Sequence, residues 1–316
     1  MRQIEDKKRK REIEVRCKKI ALLVVGLCIL FGGIAHFTNK NKEKKEVQTT
    51  NPSVKTVQEE PNTEETDYTE EQVKKFKKTK RGRKILAMEK KYPQIKKIIA
   101  NQADYPVWLL EYLVGHEEAV NWVVDYPDYM KKSKKAINSK ALKPINLHET
   151  VERADIPMLF QWDKTWGYAS YGTGTIAVEG CGPTCLSMIA IGLKGDNTIT
   201  PKKVANMSEK MEFYVDGQGT SWDLMTKGAK KLGLKSRQLN EWTAKAIEKE
   251  LRKGNPMICS MGPGDFTDGG HFIVLADILD NGKIVVNDPN SLKNSQKLWD
   301  ASVLLEQMKA MWTFER

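Results

Sequence analysis

The sequence has few of the residues that metal centres need, with four histidines and five cysteines among its 316 residues. The motif His116-Glu117-Glu118 lacks the second histidine that a zinc-protease helix carries. The sequence therefore gives no support to a metal site, and we expect neither a metal ion nor another cofactor.

Net charge is absent from residues 151–316, which contain 20 basic and 20 acidic side chains. The formal excess of +11 lies in the first 150 residues, with 32 basic and 21 acidic side chains. No motif of RNA or DNA recognition accompanies this basic region. We therefore expect no nucleic-acid partner, and we attribute the charge to membrane topology and to a solvated helical region.

Charged residues are absent from residues 20–37, a run of 18 residues. As a helix this run would span about 27 Å, close to the thickness of a bilayer core. Nine basic residues precede it and four come closely after it, which favours a cytoplasmic N-terminus. We predict a cytoplasmic basic tail at residues 1–19, a single transmembrane anchor at residues 20–38, and an extracytoplasmic location for all later residues. A cleaved signal peptide is the alternative, but no small-x-small cleavage site comes after the run.

Large apolar residues are scarce in residues 39–70, which are rich in Lys, Glu, Thr, Asn and Pro. Such a segment buries too little apolar surface to fold, so we predict a disordered linker.

Residues 71–150 are predicted to form a small helical segment. Two short apolar helices, residues 107–114 and 119–124, stand out, and the pair Tyr126-Pro127 is expected to interrupt the helical pattern after them. This segment is either a spacer that packs on the next domain or a leader, which guides a substrate or is inhibitory.

The domain at residues 151–316 has helices first and strands later. Helices are predicted at residues 182–193, from Pro201 onward, at 221–232 and at 244–253, and strands at 256–261, 271–276 and 283–287. The turn Asp280-Asn281-Gly282 joins the last two strands in a hairpin. This order predicts an α+β fold with an antiparallel sheet.

Cysteine is scarce after the apolar run, where only Cys181, Cys185 and Cys259 remain. An odd number leaves at least one thiol free, and a Cys185–Cys259 bridge is an alternative to two small buried groups. Cys181 lies at the start of a predicted helix, where the dipole and the free N–H groups favour a thiolate. Cys185 is one turn deeper on the same face and is expected to be buried, so Cys181 is the candidate nucleophile.

A histidine and an acid come after the cysteine along the chain. His271 comes directly after the glycine-rich loop of residues 262–270 and is the first residue of an apolar strand, where it can act as a general base. Asp288 ends the neighbouring strand and can hold the imidazole ring in one tautomer. The rival acids are Asp268 in the loop and Asp277, six residues along the histidine's own strand.

The opening of the domain contains a candidate oxyanion donor. The side-chain amide of Gln161 can pair with the backbone N–H of Cys181 to hold a developing negative charge. Trp162 and Trp166 are expected to pack, or to form a wall of the cleft.

Together these motifs resemble a known family. The motifs are Gln161-Trp162, Trp166-Gly167, Gly180-Cys181-Gly182-Pro183-Thr184, Gly270-His271 and Asn287-Asp288-Pro289. They resemble the papain-like cysteine peptidases of the bacteriocin-leader-processing type, in particular the family 39-like branch found as stand-alone domains in Gram-positive bacteria. The resemblance covers about residues 156–316 and implies a papain-like fold, with helices packed on a C-terminal antiparallel sheet. It also implies Cys181 as nucleophile, His271 as base, Asp288 as orienting acid and Gln161 as oxyanion donor.

Three functions are consistent with these features. The first is a membrane-anchored extracytoplasmic cysteine peptidase that acts on a peptide or protein through a thioester acyl-enzyme. The second is an amidase or acyltransferase that acts on cell-wall peptide with the same fold. The third is a non-catalytic surface binding module, against which the complete Cys181, His271 and Asp288 set argues.

Overall fold

The structure, a computed structural model, describes residues 68–131 and 156–315. The predicted cytoplasmic tail and membrane anchor, and all of the predicted linker except its last residues, lie outside these ranges. Within the described residues, no helix is long and apolar enough to cross a membrane.

Residues 70–131, the helical segment, contain five α-helices. They are α1 (Glu70–Lys77), α2 (Lys80–Met88), α3 (Ile95–Ala100), α4 (Val107–Gly115) and α5 (Val120–Lys131), with short 3-10 turns at Gln102–Asp104 and Glu117–Ala119. Thr69 precedes α1 and forms a capping box with Gln72. The Thr69 hydroxyl accepts from the Gln72 N–H, and the Gln72 side chain accepts from the Thr69 N–H. The predicted interruption at Tyr126-Pro127 is wrong, since α5 continues through Pro127 to Lys131.

Residues 156–315, the C-terminal part, form an α+β fold, as predicted. The helices are α6 (Ile176–Glu179), α7 (Cys181–Lys194), α8 (Pro201–Lys210), a π-helical turn (Leu224–Gly228) that continues into α9 (Ala229–Lys231), α10 (Ala244–Arg252), α11 (Leu292–Gln296) and α12 (Ala301–Gln307). The predicted helices that begin at Pro201 and Ala244 are capped, because the hydroxyls of Thr200 and Thr243 accept from the backbone N–H groups of Lys203 and Ala246.

The strands form one large antiparallel sheet and two small hairpins. The hairpins pair β1 (Ser170–Tyr171) with β2 (Gly174–Thr175), and β3 (Tyr214–Val215) with β4 (Gly219–Thr220). The six-stranded sheet contains β5 (Lys235–Gln238), β6 (Met257–Met261), β7 (His271–Ile278), β8 (Ile284–Asn287), β9 (Leu298–Trp299) and β10 (Met308–Glu315), in the order β5-β10-β6-β7-β8-β9. The three predicted strands are β6, β7 and β8, and Gly282 adopts φ +81° in the predicted turn between the last two.

The chain's last strand was not predicted from the sequence. β10 lies between β5 and β6, and pairs Trp312 with Gln238 on one side and with Ile258 on the other. Its sequence, Met308 to Glu315, mixes apolar and polar residues and so gives no clear strand pattern. Its central position depends on partners that are distant in the chain, which a local pattern does not reveal.

Helices cover both faces of the large sheet. On one face α7 packs through Cys185, Met188 and other buried residues against Ile258, Phe272 and Val274 of the sheet. On the other face, Ile247 and Leu251 of α10 pack against the opposite side of the same strands. The start of α7 is therefore held beside the start of β7.

The helical segment packs against the C-terminal part. A third apolar cluster joins Trp122, Leu113 and other buried side chains of the segment to Tyr168 and Ala177. The Tyr168 hydroxyl donates to the Trp122 carbonyl at 2.8 Å, and Lys164 pairs with Asp125 at 2.6 Å. The described residues thus belong to one compact unit, and the segment contacts the next domain as a packed spacer would.

Candidate active site

Two cysteines lie one helical turn apart on α7 but differ in their surroundings. Cys181 is the first residue of the helix and is half-buried. Cys185 is fully buried, donates its thiol hydrogen to the Phe272 carbonyl at 3.3 Å, and has a pKa raised by burial. Burial also raises the pKa of the Cys259 thiol on β6. All three thiols are free, so the alternative of a Cys185–Cys259 bridge is wrong.

Gly182 comes directly after the half-buried thiol and is required by packing. A Cβ atom at this position would lie 2.8 Å from the Cβ, Cγ2 and Oγ1 atoms of Thr220 on β4. The close approach lets the β3–β4 hairpin pack directly against the start of α7.

His271 is the first residue of β7, and its imidazole is buried. Its Nε2 lies 2.7 Å from Oδ1 of Asp288, and because a carboxylate only accepts, Nε2 carries the proton. Burial acts to lower the pKa of His271, but the Asp288 charge and hydrogen bonds to Asp288 and Cys181 outweigh it and raise the pKa to about 10. The structure thus brings Cys181, His271 and Asp288 together, with the imidazole in the middle.

The Asp288 carboxylate is buried and held by three donors. Oδ1 accepts from His271 and from the Asn290 N–H at 2.9 Å, and Oδ2 accepts from Nδ2 of Asn294 at 2.9 Å. The Asp288 N–H donates to Oγ of Ser295 at 2.9 Å. Sequence reasoning missed these partners, although Asn, Ser and Asp residues after a strand end are typical of such turns.

The rival acids lie elsewhere. Asp268 is exposed in the loop before β7. Asp277 is near the far end of β7, where its Oδ1 accepts from the Ile278 N–H at 2.8 Å. Asp288 is therefore the carboxylate that contacts the histidine.

Gln161 is buried beside the loop that succeeds Asp288. Its backbone N–H donates to the Pro289 carbonyl at 2.8 Å, and its side-chain Nε2 donates to the Ala177 carbonyl at 2.7 Å. It is not among the residues that line the cleft over Cys181 and His271. The predicted oxyanion role of Gln161 therefore stays a prediction. Trp162 stacks on Phe160 at 4.3 Å between ring centroids, so it packs in this part of the fold.

The cleft over the cysteine and the histidine has a volume of about 850 Å³. Its lining residues are contributed by the start of α7, the β3–β4 hairpin and the starts of β7 and β10, and include Cys181, His271, Glu179, Trp222, Met261 and Lys309. Of the described residues, those that line the cleft all belong to the C-terminal part. The helical segment therefore does not cover the cleft, which is large enough for several residues of an extended chain.

The C-terminal part, which contains the cysteine, the histidine and the acid, matches a known family. A family model described as the Peptidase_C39 like family matches residues 153–314. The chain belongs to this family. The resemblance to this family that the sequence motifs indicate is confirmed, and membership implies a cysteine peptidase fold and a peptidase, which is a hydrolase.

Solved structures of C39-like peptidases are similar to this chain at low identity. The peptidase domain of Streptococcus ComA, a bifunctional ABC transporter of a quorum-sensing pathway, is 19% identical, with a TM-score of 0.33 over 43% of this chain and 90% of that chain. A chain from Bacillus anthracis described as a C39-like peptidase is 15% identical, with a TM-score of 0.33 over 52% of this chain and 96% of that chain. No curated protein matches this C39-like chain.

Proposed function

We propose that this C39-like chain is a membrane-anchored, extracytoplasmic cysteine peptidase that uses Cys181, His271 and Asp288. The observation that carries the proposal is the His271 imidazole, whose Nε2 lies 2.7 Å from Oδ1 of Asp288 and which lines the same cleft as the Cys181 thiol. The raised pKa of His271 favours an imidazolium at neutral pH, and an imidazolium stabilises a thiolate beside it.

In the first half of the reaction, the Cys181 thiolate attacks the carbonyl carbon of a peptide bond in the cleft. The start of α7 favours negative charge here, and the backbone N–H of Cys181 would hold the oxyanion. The His271 imidazolium then donates its proton to the leaving amine as the C–N bond breaks. The product is a thioester between Cys181 and the acyl part of the substrate, together with a free amine.

In the second half, neutral His271 accepts a proton from a water molecule, which attacks the thioester carbonyl. The C–S bond breaks, the carboxylic acid leaves, and the thiolate–imidazolium pair is restored. Asp288 keeps Nε2 of His271 protonated throughout, so the other ring nitrogen is the one that exchanges the proton with sulfur, water and amine.

The proposed location rests on the sequence. The uncharged run at residues 20–37 and the excess of basic residues before it support a single anchor with the peptidase outside the cytoplasm.

The experiment that tests the function compares two cysteine variants of the full chain. We expect Cys181→Ala to abolish peptide hydrolysis and to remove the rapid labelling by iodoacetamide, because it removes the nucleophile. Cys185→Ala should keep both, because that thiol is buried and its pKa is raised. Mass spectrometry of the labelled peptides identifies the cysteine that reacts.

The outcome separates the other two functions. If the parent protein does not cleave a peptide mixture but releases products from a peptidoglycan digest, it is an amidase or transferase on the same fold. If Cys181 is no more reactive than Cys259, the nucleophile assignment is wrong and a binding module becomes the better explanation.

A further inference from the structure

The turn between α4 and α5 of the helical segment contacts the chain just beyond the catalytic acid. Glu118 accepts two backbone N–H groups with its carboxylate, from Leu292 at 2.8 Å and from Lys293 at 2.9 Å. These are the first two residues of α11, whose N–H groups have no partner within the helix. Glu118 therefore caps α11 from a position 174 residues earlier in the chain.

α11 in turn holds the Asp288 carboxylate. Asn294 donates to Oδ2 of Asp288, and Ser295 accepts from the Asp288 N–H. Because the helix is one turn and a half long, its own hydrogen bonds fix it weakly, and an external cap has a large effect on its position.

A second contact reaches the same loop from α4. The Tyr112 hydroxyl lies 3.0 Å from Oδ1 of Asn290 and 2.7 Å from the Ala177 carbonyl, to which Gln161 also donates. The backbone N–H of Asn290 is one of the three donors to Asp288. Tyr112 thus provides a second point of contact to this loop, in addition to the cap on α11.

We infer that the helical segment is a working part of the active site, with Glu118 and Tyr112 as positioning residues that hold Asp288 against His271. The inference deepens the proposed peptidase function and rests on it for the roles of Asp288 and His271. The inference favours a packed segment over a substrate-guiding or inhibitory leader. The described residues of the segment contact the turn that holds Asp288 and line no part of the cleft, so they neither guide substrate nor block its access.

Several titratable groups act on His271 from the surrounding elements. Asp288 and Cys181 both raise its pKa. His116, stacked on Tyr112 at 4.4 Å between ring centroids, has a pKa lowered first by burial and further by the His271 charge, so it is held neutral. The pKa of Tyr112 is raised by burial and by the charges of Cys181 and Asp288, so its hydroxyl stays a donor. Asp288 is therefore the charge whose displacement lowers the pKa of His271.

The test measures the titration of His271 in the full-length protein by NMR of its imidazole nitrogens, which a sequence with four histidines allows. We expect Glu118→Gln and Tyr112→Phe each to lower the titration midpoint of His271, by about one pH unit, because Asp288 moves away from the ring. In both variants kcat on a peptide that the parent cleaves should fall roughly tenfold to a hundredfold, with KM unchanged, since the substrate cleft is not altered.

Two matched variants control for general damage to the segment. Glu117→Gln changes the adjacent carboxylate, which pairs with Lys91 at the surface. Tyr105→Phe removes a buried hydroxyl that donates to the Val124 carbonyl at 2.9 Å, far along the chain from Asn290. Both should leave the His271 midpoint and kcat as in the parent, and thermal unfolding should verify that all four variants are folded.

Two results would overturn the inference. One is a His271 midpoint in folded Glu118→Gln and Tyr112→Phe that equals the parent value. The other is a rise in kcat, which would make the segment an inhibitor. A parent protein that cleaves no peptide would instead count against the proposed function, while the NMR titration would still test the positioning of Asp288.

Discussion

Cys181 and Cys185 illustrate how two identical side chains on one helix face acquire different chemistry. The first lies at the helix start and lines the same cleft as His271. The second lies one turn deeper against β7, where burial raises the pKa of its thiol. The helical period of 3.6 residues predicts this difference from the sequence, because a position one turn into an apolar face is covered by the sheet.

At the residue scale, the role of Asp288 as the partner of His271 can be tested by removing the charge of its carboxylate. We expect Asp288→Asn to move the alkaline limb of kcat/KM from about pH 10 to lower pH. The sign is set by the cause, because the Asp288 charge stabilises the imidazolium, and its removal lets the ring lose its proton at lower pH. We also expect kcat to fall by roughly a hundredfold, since general acid–base catalysis is impaired.

The control for this variant is Asp268→Asn, which neutralises the exposed rival acid in the loop before β7. Its pH profile should equal that of the parent. An unchanged alkaline limb in Asp288→Asn, or a shifted limb in Asp268→Asn, would contradict the assignment of the orienting acid.

At the scale of elements, the site depends on the junction between the start of α7 and the β3–β4 hairpin. Gly182 permits this junction because an added Cβ would lie 2.8 Å from Thr220, whose hydroxyl also bonds to Tyr171 at 2.9 Å. We expect Gly182→Ala to lower the free energy of unfolding by about 1–3 kcal/mol, through overpacking of a buried contact. Urea unfolding monitored by circular dichroism measures this.

Gly115→Ala is the matched control, since nothing lies within 4 Å of a Cβ added at the end of α4. We expect that variant to change the stability by less than about 1 kcal/mol. Equal stability of Gly182→Ala and the parent would mean that Thr220 moves aside without cost.

Elements with a local signal were predictable, and those without one were not. The Thr200 and Thr243 caps and the turn at Gly282 depend on a few neighbouring residues, so the helices and the β7–β8 hairpin could be predicted. β10 has no such signal, because its pairing with both β5 and β6 is a property of the folded sheet. The interruption predicted at Pro127 is wrong, because α5 continues through this buried proline to Lys131.

At the scale of the whole molecule, the helical segment and the C-terminal part share an apolar cluster. Trp122 of α5 is 1% exposed and stacks on Tyr168 of the C-terminal part at 5.5 Å between ring centroids. Two parts that bury each other's side chains are expected to unfold in one cooperative transition.

Trp122→Ala should therefore destabilise the C-terminal part as well as the segment, by about 3–5 kcal/mol. Labelling of the buried Cys259 by iodoacetamide across a urea gradient reports on the C-terminal part alone. The midpoint of labelling should fall to lower urea in Trp122→Ala and stay near the parent value in Trp108→Ala, where the side chain is 42% exposed. An unchanged labelling midpoint in Trp122→Ala would mean that the two parts unfold independently.

The amino-acid sequence alone was sufficient to predict the α+β class and to select Cys181, His271 and Asp288 as candidate site residues. These depend on helix and strand periodicity and on local turn chemistry, which act over a few residues. The groups that surround Asp288, the hydrogen bonds of Gln161 and the contacts of the helical segment are visible only in the folded structure. Glu118 reaches α11 across 174 positions, and Tyr112 reaches Asn290 across 178. No local pattern encodes contacts at such separation, because they exist only after the segment has packed against the C-terminal part and excluded water between them.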